Sequence, residues 1–345
     1  MTYMLQEIHE QPEVLEKLCD VEYGNIQALV KAMKARGIEY ISIAARGTSD
    51  NAGTFGKYIL ETVGGVVVSN VASSVFTLYH AKLDLSKCLL LGISQSGEST
   101  DIAEVIKRAK GMGALTAVIT NSKDSTIARV ADHTILCNAG EEKSVAATKT
   151  YTATLGVLYL LASVLAEKPE MLGDLKFAAT AIRSVFDIED KIEKVVERYR
   201  YMDECMVIAR GFNQATCQEA ALKLAETCYV VAKPYSSADF QHGPIATIDE
   251  GFPVILYAPP GMVYDPMLKL TDKLVSEDAE IIMISSEEEI LSRATTQIKL
   301  PIKVDEVYSP LVYVVAGQLF AHYLSLAKGY NPDHPRHLSK ITRTM

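Results

Sequence analysis

The chain has 345 residues, too many for one ordinary core and suited to two domains of about 150 residues each. Apolar residues make up 48% and charged residues 22%, which excludes an intrinsically disordered chain. The formal net charge of −9 repels nucleic acid and anionic membrane, so neither is expected as a partner, and an anionic substrate needs a local site that overrides this field.

The opening Met-Thr-Tyr-Met-Leu-Gln-Glu-Ile has no long apolar run, so it does not read as a secretory leader. Residues 40–45, 66–69, 88–94 and 115–120 are short continuous apolar runs, the pattern of strands in a parallel sheet covered on both faces. Between them, 51–62 and 101–110 have helical spacing, and strand–helix alternation predicts a doubly wound α/β domain. The stretch 149–200 reads as mostly helical and as a bridge. Strands are expected again at 206–209, 254–257 and 281–284. Residues 155–166 are too few to span a bilayer, and 311–327 carries Gln318, His322 and Ser325; both read as helices buried between domains. The last helix is expected to start near Pro310, a favoured first-turn residue. Beyond Gly329, Pro332 and Pro335 forbid a helix, leaving a frayed or docked tail.

The chain repeats itself. Ser42-Ile-Ala-Ala-Arg-Gly47 resembles Val207-Ile-Ala-Arg-Gly211, and the helical pattern after each closes with Leu60-Glu61-Thr62 or Ala225-Glu226-Thr227. Residues 117–120 match 282–285, and 127–129 match 291–293. An offset near 165 residues argues for duplicated domains. The expected fold is therefore α/β, with two tandem doubly wound parallel-sheet domains and helices on both faces of each sheet. The boundaries are 1–165 for the first domain, 166–200 for a helical bridge, 201–330 for the second domain and 331–345 for a tail docked at the active site. The six cysteines have irregular spacing and no Cys-x-x-Cys pair; they read as buried reduced thiols of a cytoplasmic protein. The seven histidines show no ligand spacing, so no metal site is expected.

Two segments in the first repeat carry hydroxyls to strand ends, and a third precedes the long middle helix. Ile93-Ser94-Gln95-Ser96-Gly97-Glu98-Ser99-Thr100 follows a buried strand and opens a helix, where free backbone N–H groups and the helix dipole favour an anion. It contains no Lys and no Gly-x-x-x-x-Gly-Lys loop, so it suits a monophosphate held by neutral donors, or it is a polar helix cap. Gly47-Thr48-Ser49 could add hydroxyls or be an ordinary turn; Ser144-Val145-Ala-Ala-Thr148-Lys149 could cap the long middle helix. In the second repeat Glu219, Lys223 and Glu226 stand at i, i+4 and i+7 on one helix face. Such a stripe can be an exposed ion-pair row, but its small apolar neighbours suggest burial and a tuned acid–base group. His242 precedes Gly243-Pro244 on a turn, more available than a core histidine.

Together these segments resemble the isomerase half of the glutamine–fructose-6-phosphate amidotransferases and, more closely, the SIS (sugar isomerase) type glucosamine-6-phosphate deaminases. The likeness runs from Glu10-Gln11-Pro12 to Asp333-His-Pro-Arg-His-Leu-Ser-Lys340. It implies that Ser94, Gln95, Ser96 and Ser99, joined by Thr48, Ser49 and Val145, bind the substrate and its phosphate. It implies that Glu226 moves a proton between C1 and C2 of the sugar, supported by Glu219 and Lys223. His242 would open the ring and reach the neighbouring subunit's site, and Lys340 would line the site. Arg46-Gly-Thr-Ser, Ser144-Val-Ala-Ala-Thr-Lys149, Glu226-Thr-Cys and Ser237-Ala-Asp look like the deaminase branch. Thr2 follows Met1 and the first motif arrives by residue 46, so no glutaminase domain is expected. The expected reaction is hydrolytic deamination of glucosamine 6-phosphate without metal or redox cofactor, in a homodimer sharing His242. The alternatives are a fructosamine-6-phosphate deglycase and a non-catalytic sugar-phosphate sensor.

Overall fold

The computed structural model describes residues 1–340. It holds two five-stranded sheets, all parallel, each in its own compact unit. The first sheet contains β1 (Tyr40–Ala44), β2 (Val67–Asn70), β3 (Cys88–Ile93), β4 (Leu115–Thr120) and β5 (His133–Leu136), in the order β2-β1-β3-β4-β5. The second contains β6 (Glu204–Ala209), β7 (Val231–Ser236), β8 (Pro253–Tyr257), β9 (Glu280–Ser285) and β10 (Thr296–Lys299), in the order β10-β9-β8-β6-β7. Read from the opposite edge, the second order equals the first, and the strands recur near the offset seen in the sequence. The expected α/β fold with two parallel-sheet repeats is the observed one. In each sheet the winding reverses beside the first strand, so the switch points lie between β1 and β3 and between β6 and β8. Open α/β sheets bind ligands there, at the carboxyl ends of the strands.

The central strands are apolar on both faces because helices cover both. Every residue of β3 and β4 is buried. One face packs Cys88, Leu90 and Val118 against Ile102, Val105 and Ile106 of the helix Thr100–Gly111. The second unit repeats this with Val254, Leu256 and Met283 against Met267, Leu270 and Leu274 of the helix Tyr264–Ser276. Each unit also owns one long apolar helix, Lys149–Leu165 in the first and Ser309–Ala327 in the second. The latter has the length and composition to cross a membrane, yet 89% of its most apolar window is buried inside the fold. Pro310 stands in its first turn, as expected.

Residues 1–12 and 143–148, expected in the first domain, group with the second sheet. The physical link is Glu7, a buried carboxylate that accepts from the backbone N–H groups of Lys143 and Ser144. The stretch expected as a bridge forms helices Met171–Phe186 and Glu189–Val196, and residues from Phe177 onward belong to the second unit. The tail is irregular as far as it is described, and 341–345 of the expected docking segment lie outside the described residues.

Candidate active site

In the first unit the loop 94–99 leaves β3 at the switch point and enters the helix Thr100–Gly111. It is held by its own backbone. The Asn121 N–H donates to the Gln95 carbonyl at 3.0 Å, and the Ile127 N–H donates to the Gly97 carbonyl at 3.1 Å. Gly97 has φ +69°, and a Cβ there would fall 2.1 Å from the Ser125 hydroxyl oxygen, so both conformation and space require glycine. Glu98 accepts from the Thr126 N–H at 3.0 Å and its hydroxyl at 2.7 Å. The Ser94 and Ser99 hydroxyls lie 2.9 Å apart, and Ser96 Oγ accepts from the Glu98 N–H at 3.2 Å. The Ser94 and Ser99 hydroxyls thus meet where the helix dipole favours an anion, with Ser96 on the same loop. Ser99 stands at the N-cap without capping the helix through its side chain.

Across the switch point, Gly47 follows β1 as the N-cap of the helix Thr48–Thr62, and Thr48 and Ser49 form its first turn. Arg46 donates through Nε to Asp101 at 2.9 Å, tying the β1 turn to the first turn after the serine loop. The tail's Lys340 belongs to this unit by its contacts. Its ammonium donates to Glu142 at 2.7 Å, and Glu142 also accepts from the Thr150 N–H at 3.1 Å and hydroxyl at 2.7 Å. Glu142, fully enclosed, is a site neighbour that sequence reading missed: a pair of acids in a loop, Glu141 and Glu142, carries no periodicity.

In the second unit, Glu219 and Lys223 stand on the helix Gln214–Lys223, and both side chains are 0% exposed. The chain then widens into a single π-helical stretch, Leu224–Cys228, that carries Glu226. π-turns are rare and concentrate at functional sites. Lys223 Nζ lies 3.3 Å from Glu219 and 2.6 Å from Glu226. Burial alone would strip its charge, but the two carboxylates more than offset that and hold it above its ordinary value. Glu226 retains 22% side-chain exposure, so it alone of the three reaches solvent. The expected common face is thus observed, with burial rather than exposure as its setting.

His242 caps the short helix Ser237–Gln241 and is exposed. Its turn is fixed by Ser236, which accepts from the Asp239 N–H at 3.1 Å and donates to its carboxylate at 2.7 Å. Val145, partly buried, lies in the segment Lys143–Thr148 that Glu7 holds. The tail up to Leu338 belongs to the second unit: Asp333 accepts from the Tyr3 and Met4 N–H groups at 2.8 Å each, and the Arg336 guanidinium sits 3.7 Å from the Tyr229 ring centroid.

The SIS domain family model matches residues 28–164 and 202–328, one match over each sheet. The glutamine–fructose-6-phosphate aminotransferase (isomerizing) of Pyrococcus horikoshii is 36% identical over 98% of this chain, which spans 57% of that relative's length. The solved C-terminal domain of the glucosamine-fructose-6-phosphate aminotransferase of Francisella tularensis is 25% identical, with a TM-score of 0.88 over 97% of this chain and 98% of that one. A solved protein of Silicibacter pomeroyi, described as a candidate phosphosugar isomerase, is 31% identical, with a TM-score of 0.84 over 96% of this chain and 100% of that one.

Proposed function

The chain belongs to the SIS domain family, and on that premise we propose that it is an enzyme converting glucosamine 6-phosphate and water to fructose 6-phosphate and ammonia. The observation that carries this reading is Glu226: a carboxylate with 22% exposure, beside a lysine that is wholly buried and kept charged. That ammonium lies 2.6 Å from the carboxylate and holds it in place.

In this reading the hydroxyls of Ser94, Ser96 and Ser99, with Gln95, Thr48 and Ser49, hold the phosphate by neutral donors. Val145 and Lys340 line the substrate. His242 assists ring opening, reaching the site from a second copy of the chain. Glu226 then takes the proton from C2 and returns one to C1 through an enolamine. Water adds to the resulting C2 imine, and ammonia leaves. Glu219 holds Lys223 in place and touches no substrate. The relatives named for amino-sugar phosphate chemistry support the substrate class.

The test follows ammonia and fructose 6-phosphate together when the protein meets glucosamine 6-phosphate. Equal release of both is expected. Glu226→Gln should lower kcat by about 10²–10⁴-fold, the usual worth of a general acid–base, while leaving ligand-induced thermal stabilisation in place. Near-normal kcat in that variant would refute the proton-transfer role. Stabilisation by the sugar phosphate without either product would refute the deaminase reading and keep the phosphate site.

A further inference from the structure

The second sheet has its own switch point, and its loop copies the serine loop in form. Both β3 and β8 are followed by six residues, 94–99 and 258–263, and then by a helix. The fourth residue of each loop is a glycine in the left-handed half of backbone space, Gly97 at φ +69° and Gly261 at φ +124°. The side chains differ completely. Where the first loop has Ser94, Ser96 and Ser99, the second has Ala258, Pro260 and Val263.

The second loop nevertheless holds an anion, supplied by the chain itself. A Glu306 oxygen accepts from the Met262 N–H at 2.5 Å and the Val263 N–H at 3.3 Å. These N–H groups stand at the loop positions of Glu98 and Ser99 in the first repeat. A Cβ on Gly261 would fall 2.4 Å from that same oxygen, and one on Gly211, in the turn after β6, would lie 3.2 Å from the other. The carboxylate therefore sits between the two loops that flank the switch point. A cavity of about 610 Å³ adjoins it, lined by Phe212, Pro260, Met262, Glu306 and Val307 and by a second carboxylate, Asp305. Glu306 lies just before the helix Ser309–Ala327; the matching approach to Lys149–Leu165 reads Val145-Ala146-Ala147 and has no acid. Burial pushes the Glu306 carboxyl above its usual range despite the two N–H bonds that pull it down.

We propose that Glu306 is a built-in anion that closes the second repeat's oxyanion cradle. A small oxyanion such as a phosphate monoester enters there only when the carboxylate is removed, and the chain takes its phosphorylated ligand at the first cradle alone. The comparison rests on reading loop 94–99 as a phosphate cradle, but the test separates the two.

Glu306→Ala in the full chain is melted with inorganic phosphate or formate, against sodium chloride at equal ionic strength. The variant should melt lower than the parent in chloride. At about ten times the dissociation constant, phosphate or formate should raise its Tm by about 3 °C more than the parent's. Any response of the first cradle is common to both proteins and cancels in that difference. A phosphate response in the variant and none in the parent would sink the reading of loop 94–99 and leave the role of Glu306 standing. A folded Glu306→Ala protein that gains no more than the parent overturns the proposal. Should that variant fail to fold, Glu306→Ser, whose short side chain also leaves the cradle empty, is expected to show the same excess response, and an equal response overturns it.

Discussion

Lys223 is the residue on which the second unit's buried charge balance turns, because one buried ammonium faces two carboxylates. Removing it leaves Glu219 fully enclosed without that cation, and breaking a buried pair from one side typically costs about 3–5 kcal/mol. Lys223→Met is therefore expected to lose about that much in urea denaturation. Much of it should return when Glu219→Gln is added, because the buried charge then disappears with its partner. A loss under about 1 kcal/mol, the scale of an exposed pair, would contradict the role given to Lys223. The i, i+4, i+7 spacing made this triad legible in the sequence. The π-turn was not legible, since nothing in Leu-Ala-Glu-Thr-Cys distinguishes a widened turn from an α-helical one. Glu142 and Glu306 were missed for a related reason: each is one of two adjacent acids in a loop, given meaning only by the N–H groups it meets.

At the scale of elements, the buried central strands announced themselves as apolar runs, whereas β5, β7 and β10 did not. The last two alternate or expose much of their length, and β7 contains Lys233 and Pro234, tolerable only because it is an edge strand. The helix Ser309–Ala327 shows what an apolar pattern conceals. His322 and Gln318 are buried within it, and neither His322 Nδ1 nor Gln318 Nε2 has a hydrogen-bond partner among the described residues. Burial lowers the His322 pKa to about 4; Asp333 and Glu189 oppose this, and His9 and the amino terminus add to it. An unfolded histidine titrates near ~6.5, so unfolding takes up a proton between the two values. Stability is then complete above about pH 6.5 and falls as the pH drops towards about 4. Relative to His322→Gln, the parent should lose about 2 kcal/mol between pH 7 and pH 5. Parallel pH profiles of the two proteins in urea denaturation would show that His322 carries no such linkage.

The whole molecule is two copies of one architecture that carry different side chains at their strand ends. Hydroxyls stand at the first switch point, and ionisable groups gather on the first helix after β6 in the second repeat. Duplication was readable from strand ends, because Arg-Gly turns and apolar runs survive divergence; the exchange of residues 1–12 and 143–148 into the second unit was not, because it depends on Glu7 meeting backbone N–H groups distant in sequence. The same limit applies to His242, whose motif marks a turn without saying whose substrate it serves. Its exposure leaves the ring available to a second copy of the chain, and closed two-fold assembly is the commonest form of homo-oligomer. If each site takes Glu226 from one chain and His242 from the other, two inactive variants can repair each other. Glu226→Gln and His242→Ala proteins, unfolded together and refolded as a mixture, would form mixed dimers in which one site has both wild-type residues. Random pairing makes half the dimers mixed and one site in each competent, so activity should recover to about a quarter of the parent's. Each variant refolded alone should stay inactive. If the refolded mixture contains mixed dimers, shown by a size tag on one variant, and still has no activity, both residues serve the same chain's site.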